Sequence, residues 1–292
     1  MKTFIVFFFG LFINVILLAQ NNNPHLNRKD WYEPQPVGFA FIPQGSFQDT
    51  SFINKDTIIQ TITSAPFWMS NEITNKEFRD FITYLKMNPE DSLCIVDWNK
   101  AKQENIDETK IDKAKYRKCL KNKLIEKNII DTMVMKYDKP ELKNYFLNKE
   151  YNDYPVVGVS YKGATFFCLW KTKIEREKNG PEYKMNDYRI PTAEEWRYTA
   201  SKVPSEKKST NTGLKKVNSG IKNELKLNNF SGNVSEWTSS TPDSISVDKR
   251  VVMGGSWKTE SNLYERNIVD KKTQSSNIGF RLVRSYIGTK NQ

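Results

Sequence analysis

Arg189-Ile190-Pro191-Thr192-Ala193-Glu194-Glu195-Trp196 is the stretch on which the reading of this chain turns. Thr192 and Glu195 stand three apart, the spacing at which each side chain satisfies a free backbone N–H of a first helical turn. The spacing predicts a helix starting there and continuing through Tyr198. Trp196 is expected in a core, as are Trp237 and Trp257, because large aromatics bury much apolar area.

Working outward, residues 201–229 read as a polar loop, followed by Gly232-Asn233-Val234-Ser235-Glu236-Trp237-Thr238. Two strand-like runs come next, Val251-Val252-Met253-Gly254-Gly255-Ser256-Trp257 and Ile278-Gly279-Phe280-Arg281-Leu282-Val283. On the N-terminal side, Tyr154-Pro155-Val156-Val157-Gly158-Val159-Ser160 reads as a buried strand ending in a helix cap. Ala164, Phe167, Cys168 and Ile174 then line the helix that follows. Thr74 and Glu77 form a second capping-box pair, and Phe78, Phe81, Ile82 and Leu85 follow at helical spacing. Phe39-Ala40-Phe41-Ile42 and Pro43-Gln44-Gly45-Ser46-Phe47 read as strand, turn, strand, and Pro66-Phe67-Trp68-Met69 as another extended segment.

Composition changes across residues 86–151, which are crowded with Lys, Glu, Asp and Asn and carry only weak helical periodicity. This segment is expected to be a partly helical insertion projecting from the domain. It reads either as a solvated lysine-rich hairpin or as a docking surface for another protein. At the other end, Lys2 followed by the apolar run 4–19 and the polar Asn21-Asn22-Asn23 reads as a signal peptide over residues 1–20. Residues 21–292 are then expected to form a single domain. A retained membrane anchor is the alternative for the apolar run. A lipoprotein signal would need a cysteine at the cleavage point, and the first cysteine is Cys94.

The formal net charge is +11, spread along the chain without a nucleic-acid motif, so an acidic protein partner or an anionic membrane surface fits better than nucleic acid. His25 is the single histidine, which excludes a Ser-His-Asp triad and a histidine-rich metal site. With cysteines at 94, 119 and 168, one internal disulfide is the maximum, and Cys94 with Cys119 would be the pair. Cys168 sits among Phe166, Phe167, Leu169 and Trp170 and reads as a buried, inert thiol.

Taken in order, these pieces resemble the formylglycine-generating enzyme (sulfatase-modifying factor) family across nearly the whole chain beyond residue 20. The resemblance implies an α+β fold of the C-type-lectin-like kind with little regular secondary structure. Within that family, Trp31-Tyr32-Glu33-Pro34, the long insertion, and Tyr145-Phe146-Leu147-Asn148-Lys149-Glu150-Tyr151 are most similar to the GldK/PorK and GldJ group of gliding and type IX secretion components. That likeness implies a periplasmic, outer-membrane-associated protein in a ring with a GldN/PorN-like partner, with further copies of itself as a second candidate partner. The group is usually lipidated, and the missing cysteine implies attachment through partners instead.

Enzymes of the family bind copper with two thiolates, soft ligands suited to Cu(I). In register with Gly254-Gly255-Ser256-Trp257 those positions are Thr259 and Tyr264, neither of which offers sulfur. The expectation is therefore a non-catalytic structural or interaction protein. A copper-dependent oxidase of substrate cysteine and a lectin-like polysaccharide-binding domain, with Trp257 as the stacking residue, are the alternatives. The resemblance also makes Asn233 and Glu236 candidate ligands of a structural calcium, a cation that prefers oxygen donors. The other reading is that they satisfy buried backbone groups. Arg281 is expected to be a buried guanidinium paired with Glu236 or Glu195.

Overall fold

A computed structural model describes residues 33–53, 56–96, 104, 112, 114–181, 183–202, 213–219, 225, 227–242, 246–259 and 266–288. The apolar run at 1–20, His25 and Tyr264 lie outside the described residues. Residues Pro34–Ile287 form one compact unit, and the other unit, Met1–Glu33 with Gly288–Gln292, is almost wholly outside the description.

The chain opens with β1 (Phe39–Ile42), β2 (Gly45–Ile53), β3 (Asp56–Ser64) and β4 (Phe67–Glu72), then helix α1 (Asn75–Met87). Through residues 86–151 run β5 (Ser92–Val96), β6 (Arg117–Lys121), α2 (Asn122–Ile125) and α3 (Val134–Asp138). The long helix α4 (Tyr161–Asn179), β7 (Tyr188–Arg189) and α5 (Ala193–Ser201) follow. The chain ends with β8 (Ser235–Trp237), β9 (Lys249–Met253), β10 (Arg266–Asp270), β11 (Ile278–Gly279) and β12 (Arg281–Ser285). Helices and short strands intermix, and the fold is α+β with long irregular connections.

Two four-stranded sheets carry the frame, in the orders β1-β4-β12-β7 and β10-β9-β8-β11. In the second, β11 runs parallel to β8 while β9 is antiparallel to both of its neighbours. Helices α1 and α5 start at capping boxes on Thr74/Glu77 and Thr192/Glu195, each satisfying free N–H groups of the first turn. Ser160 caps α4 by accepting from Gly163 N. The run 154–160, expected as a strand, makes only the isolated bridges Thr74↔Pro155 and Ile130↔Val159. Several of its carbonyls and N–H groups nonetheless find partners, for example Val156 N donating to Ile73 O at 2.8 Å and Asp131 N donating to Gly158 O at 2.8 Å. Burial of a continuous apolar run therefore marks this stretch without a ladder.

The main core lies between α1 and α4. Phe78 stacks on Phe167 with ring centroids 5.6 Å apart, and Phe280 meets both edge-on at 6.1 and 5.5 Å. Each such pair adds roughly 0.5–1.5 kcal/mol beyond area burial.

Residues 86–151 were expected to project. Their described part is instead woven into the body: Leu93, Ile125, Ile129 and Phe146 belong to the main core cluster. Val134, Met135 and Tyr145 pack with Trp257 in another. Gly158, at φ +76, would drive a Cβ into the Asp131 carbonyl, so this contact requires glycine. The charged residues conceal the inward face because scattered single apolar residues bury without setting a period. The segment is partly helical, as α2 and α3 show, and Cys94 lies opposite Cys119 in the β5–β6 register and is bonded to it.

Candidate functional site

Residues from four distant stretches meet at one buried point. Arg281 opens β12 directly opposite Glu72, the last residue of β4, and Glu236 in β8 lies beside Gly279 of β11. Arg281 Nε and Nη2 donate to Glu236 Oε2 and Oε1, both at 2.5 Å, in a two-pronged pair fully shut off from water. Arg281 also donates to Ser70 O at 3.3 Å and Asn228 O at 3.1 Å, and its guanidinium lies 4.0 Å from the Phe230 ring centroid. Trp196 of α5 donates its indole N–H to Glu236 Oε2 at 2.7 Å. Of the two partners expected for Arg281, Glu236 is the one found. Glu195 instead takes Arg189 through two bonds of 2.6 Å while capping α5.

Glu72 completes the cluster. Asn229 Nδ2 donates to its Oε2 at 2.7 Å and Asn233 Nδ2 to its Oε1 at 2.9 Å. Asn229 and Asn233 both hold φ near +65°, a left-handed conformation that asparagine tolerates better than most residues. Gly254 holds the facing backbone at φ +79, where a Cβ would come within 3.0 Å of the Phe230 carbonyl and the Trp196 ring. Burial, reinforced by the neighbouring Glu236, pushes the Glu72 carboxyl up to about 8, although Arg281 and the two asparagine amides pull it down. Burial alone would lower Arg281, yet Glu236 holds it above its ordinary value. At neutral pH the cluster then holds one ion pair and a largely protonated Glu72.

This geometry decides between the two readings of Asn233 and Glu236. Asn233 Oδ1 accepts from Lys215 N at 2.8 Å, and its backbone carbonyl accepts from Trp257 N at 2.8 Å. Both Glu236 oxygens face a guanidinium. An arginine in contact with the sole carboxylate of a proposed calcium pair opposes a divalent cation, so these donors do not fit a calcium site. They satisfy buried groups instead.

Thr259, at the first expected thiolate position, is exposed and lies 3.0 Å from Ser256 by their hydroxyl oxygens. Trp257 donates its indole N–H to Ser276 O at 2.9 Å, and the ammonium groups of Lys139 and Lys258 lie 5.0 and 5.2 Å from its ring centroid. Cys168 is buried, and burial raises its thiol far above the ordinary range, which keeps it protonated and unreactive. Among the described residues no group of three His, Cys, Asp or Glu side chains is placed to share a metal ion.

The sequence alone assigned no role to Glu72 or to Asn229. Glu72 ends the largely buried strand β4 two residues before the Thr74 cap, and an acid closing a buried strand is the signal that was available.

A separate concavity of about 890 Å³ contains none of Glu72, Glu236, Arg281 or Thr259 in its lining. Cys94 and Cys168 both contribute to its wall.

The fold and the buried network together define a protein of mixed α+β architecture whose sequence motifs converge on an internal polar clamp. Residues 30–286 match the sulfatase-modifying factor enzyme 1-like domain, and the chain belongs to that family. It is 23% identical over 287 residues to the inactive C-alpha-formylglycine-generating enzyme 2 of Bos taurus, covering 85% of this chain and 88% of that protein. The Mus musculus protein of the same name is 27% identical over 172 residues, 47% of this chain and 51% of that one. Among solved structures, CarF superposes with a TM-score of 0.53 at 17% identity, covering 86% of this chain and 99% of CarF. PvdO from Pseudomonas aeruginosa gives 0.53 at 15% identity, covering 85% and 94%. At these identities the two structures speak for the fold alone.

Proposed function

We propose that the chain is a non-catalytic structural or interaction component of a bacterial envelope assembly, periplasmic and associated with the outer membrane, of the GldK/PorK kind in gliding and type IX secretion. The observation that carries the non-catalytic part is the fate of the motif residues. Glu72, Asn233, Glu236 and Arg281 spend their polar groups on neighbouring side chains and on the backbone, so these four are engaged internally. Kinship with relatives named inactive supports the same reading. The envelope assignment rests on the N-terminal apolar run and on the likeness of residues 31–34 and 145–151 to that group. No helix among the described residues is long and apolar enough to cross a membrane.

Affinity purification of the tagged full chain from envelope fractions tests this proposal. Co-recovery of a GldN/PorN-like protein or another secretion component is expected, and recovery of the chain alone would count against it. One observation favours a second reading, a copper-dependent oxidase of substrate cysteine: Cys94 and Cys168 line one concavity of substrate size. Against it, Cys94 is bonded to Cys119 and Cys168 is held protonated. The lectin-like reading loses its anchor, because Trp257 is 8% exposed and two lysines crowd its ring.

A further inference from the structure

The 890 Å³ concavity is walled on one side by the paired strands β5 and β6 with their disulfide, and on the others by α4, β7, β9 and connecting residues such as Asp187, Val247 and Lys271. Its charge is one-sided. Arg117, Lys118, Arg176, Arg189, Arg250 and Lys271 contribute to the lining, against the single acid Asp187. Three of these cations are already matched: Arg176 by Asp187 at 2.8 Å, Arg189 by Glu195 at 2.6 Å, and Lys271 by Asp248.

Arg117 and Arg250 have no carboxylate partner among the described residues. Arg250 lies 4.6 Å from the Tyr161 ring centroid and interacts with the Tyr161 side chain, its Nη1 donates to the Val247 and Lys249 carbonyls at 3.0 and 2.7 Å, and it lies near enough to Asp248 to help lower that carboxyl, whose ion pair is with Lys271. Its Nε is shielded from water and has no acceptor, an unsatisfied donor of the kind that calls for explanation in a folded protein. Between the cations the lining is apolar, including Ile95, Leu169 and Val247.

We infer that this cleft binds an acidic peptide segment of a partner protein, carboxylates engaging Arg117 and Arg250 and apolar side chains seating between them. The inference deepens the interaction reading proposed above and rests on it. A guanidinium fork matches a planar carboxylate in two bonds, as Arg189 and Glu195 already show at the edge of this cleft. A bare inorganic anion would use the cations and leave the apolar surface wet. The volume takes a few residues of extended chain and falls within the range of ligand pockets, roughly 300–1,000 Å³.

The test is fluorescence anisotropy of the intact chain with a fluorescein-labelled peptide of alternating glutamate and leucine. Expected is saturable binding that a glutamine-for-glutamate peptide loses. Arg117→Glu and Arg250→Gln should each weaken it about tenfold, equivalent to about 1.4 kcal/mol. Lys149→Glu, an exposed charge change outside the lining, should leave it unchanged. Circular dichroism melting of each variant separates lost binding from lost fold, and the Arg117 variant, at an exposed strand end, keeps the test alive if Arg250→Gln unfolds. Equal binding of the glutamine peptide, equal weakening by Lys149→Glu, or competition by inorganic phosphate at the peptide's own concentration would overturn the inference. Peptide binding without envelope partners would sink the assembly reading and leave the cleft. Partner recovery that survives both arginine variants would do the reverse.

Discussion

Glu72 is the residue whose protonation most directly reports the state of the buried clamp. Its folded carboxyl titrates near 8 against an ordinary value of 4.5, so between those limits the folded state holds a proton that the unfolded state has released. The sign follows: its contribution is fully present below about pH 4.5 and is lost as pH rises toward 8. Urea midpoints measured from pH 5 to pH 8 should fall because of this group, and Glu72→Gln should flatten the fall. A Glu72→Gln profile as steep as that of the parent would refute the assignment. Arg281→Met leaves Glu236 buried without its counter-charge and should cost about 3–5 kcal/mol, read as a lowered urea midpoint. The Arg281–Glu236 pair was legible in the sequence as one of two options, since a guanidinium next to a buried strand needs an acid. Glu72 with Asn229 was not, because residues 157 positions apart meet only once the sheets close.

At the scale of elements, the paired strands β5 and β6 are the part of the charged segment fastened by a covalent bond. Their disulfide spans 25 residues, and closing a loop of that size constrains the unfolded chain by roughly 3 kcal/mol. Replacing Cys94 and Cys119 together by serine should lower the melting temperature, and dithiothreitol should lower that of the parent but not of the double variant. An unchanged melting temperature in the double variant would show that the strand pair is held by its packing alone. Both capping boxes were readable from spacing, because a cap depends on residues three apart and on nothing distant. The woven path of residues 86–151 was not, because Leu93, Ile125, Ile129 and Phe146 bury against partners supplied by other elements. The strand expected at 154–160 failed for a related reason: continuous burial satisfies the apolar pattern, while a ladder also needs a neighbour in register.

For the whole molecule, the family's fold is present and its motifs serve to close it. Glu72, Trp196, Asn233, Glu236 and Arg281 tie β4, α5, β8 and β12 to one buried ion pair, so Asn233 and Glu236, the candidate ligands, are part of an internal fastening. What the sequence carried plainly was the lack of sulfur at positions 259 and 264, a matter of residue identity needing no geometry. The basic cleft was invisible, since its cations come from five separate stretches and the net charge is spread along the chain. The measurement that bears most directly on the non-catalytic claim is copper content: the purified chain, reduced and reconstituted with Cu(I) under anaerobic conditions, desalted and analysed by mass spectrometry. The account predicts far less than one copper per chain, unchanged by Cys168→Ser. One tightly held copper per chain, lost on Cys168→Ser or Cys94→Ser, would contradict it.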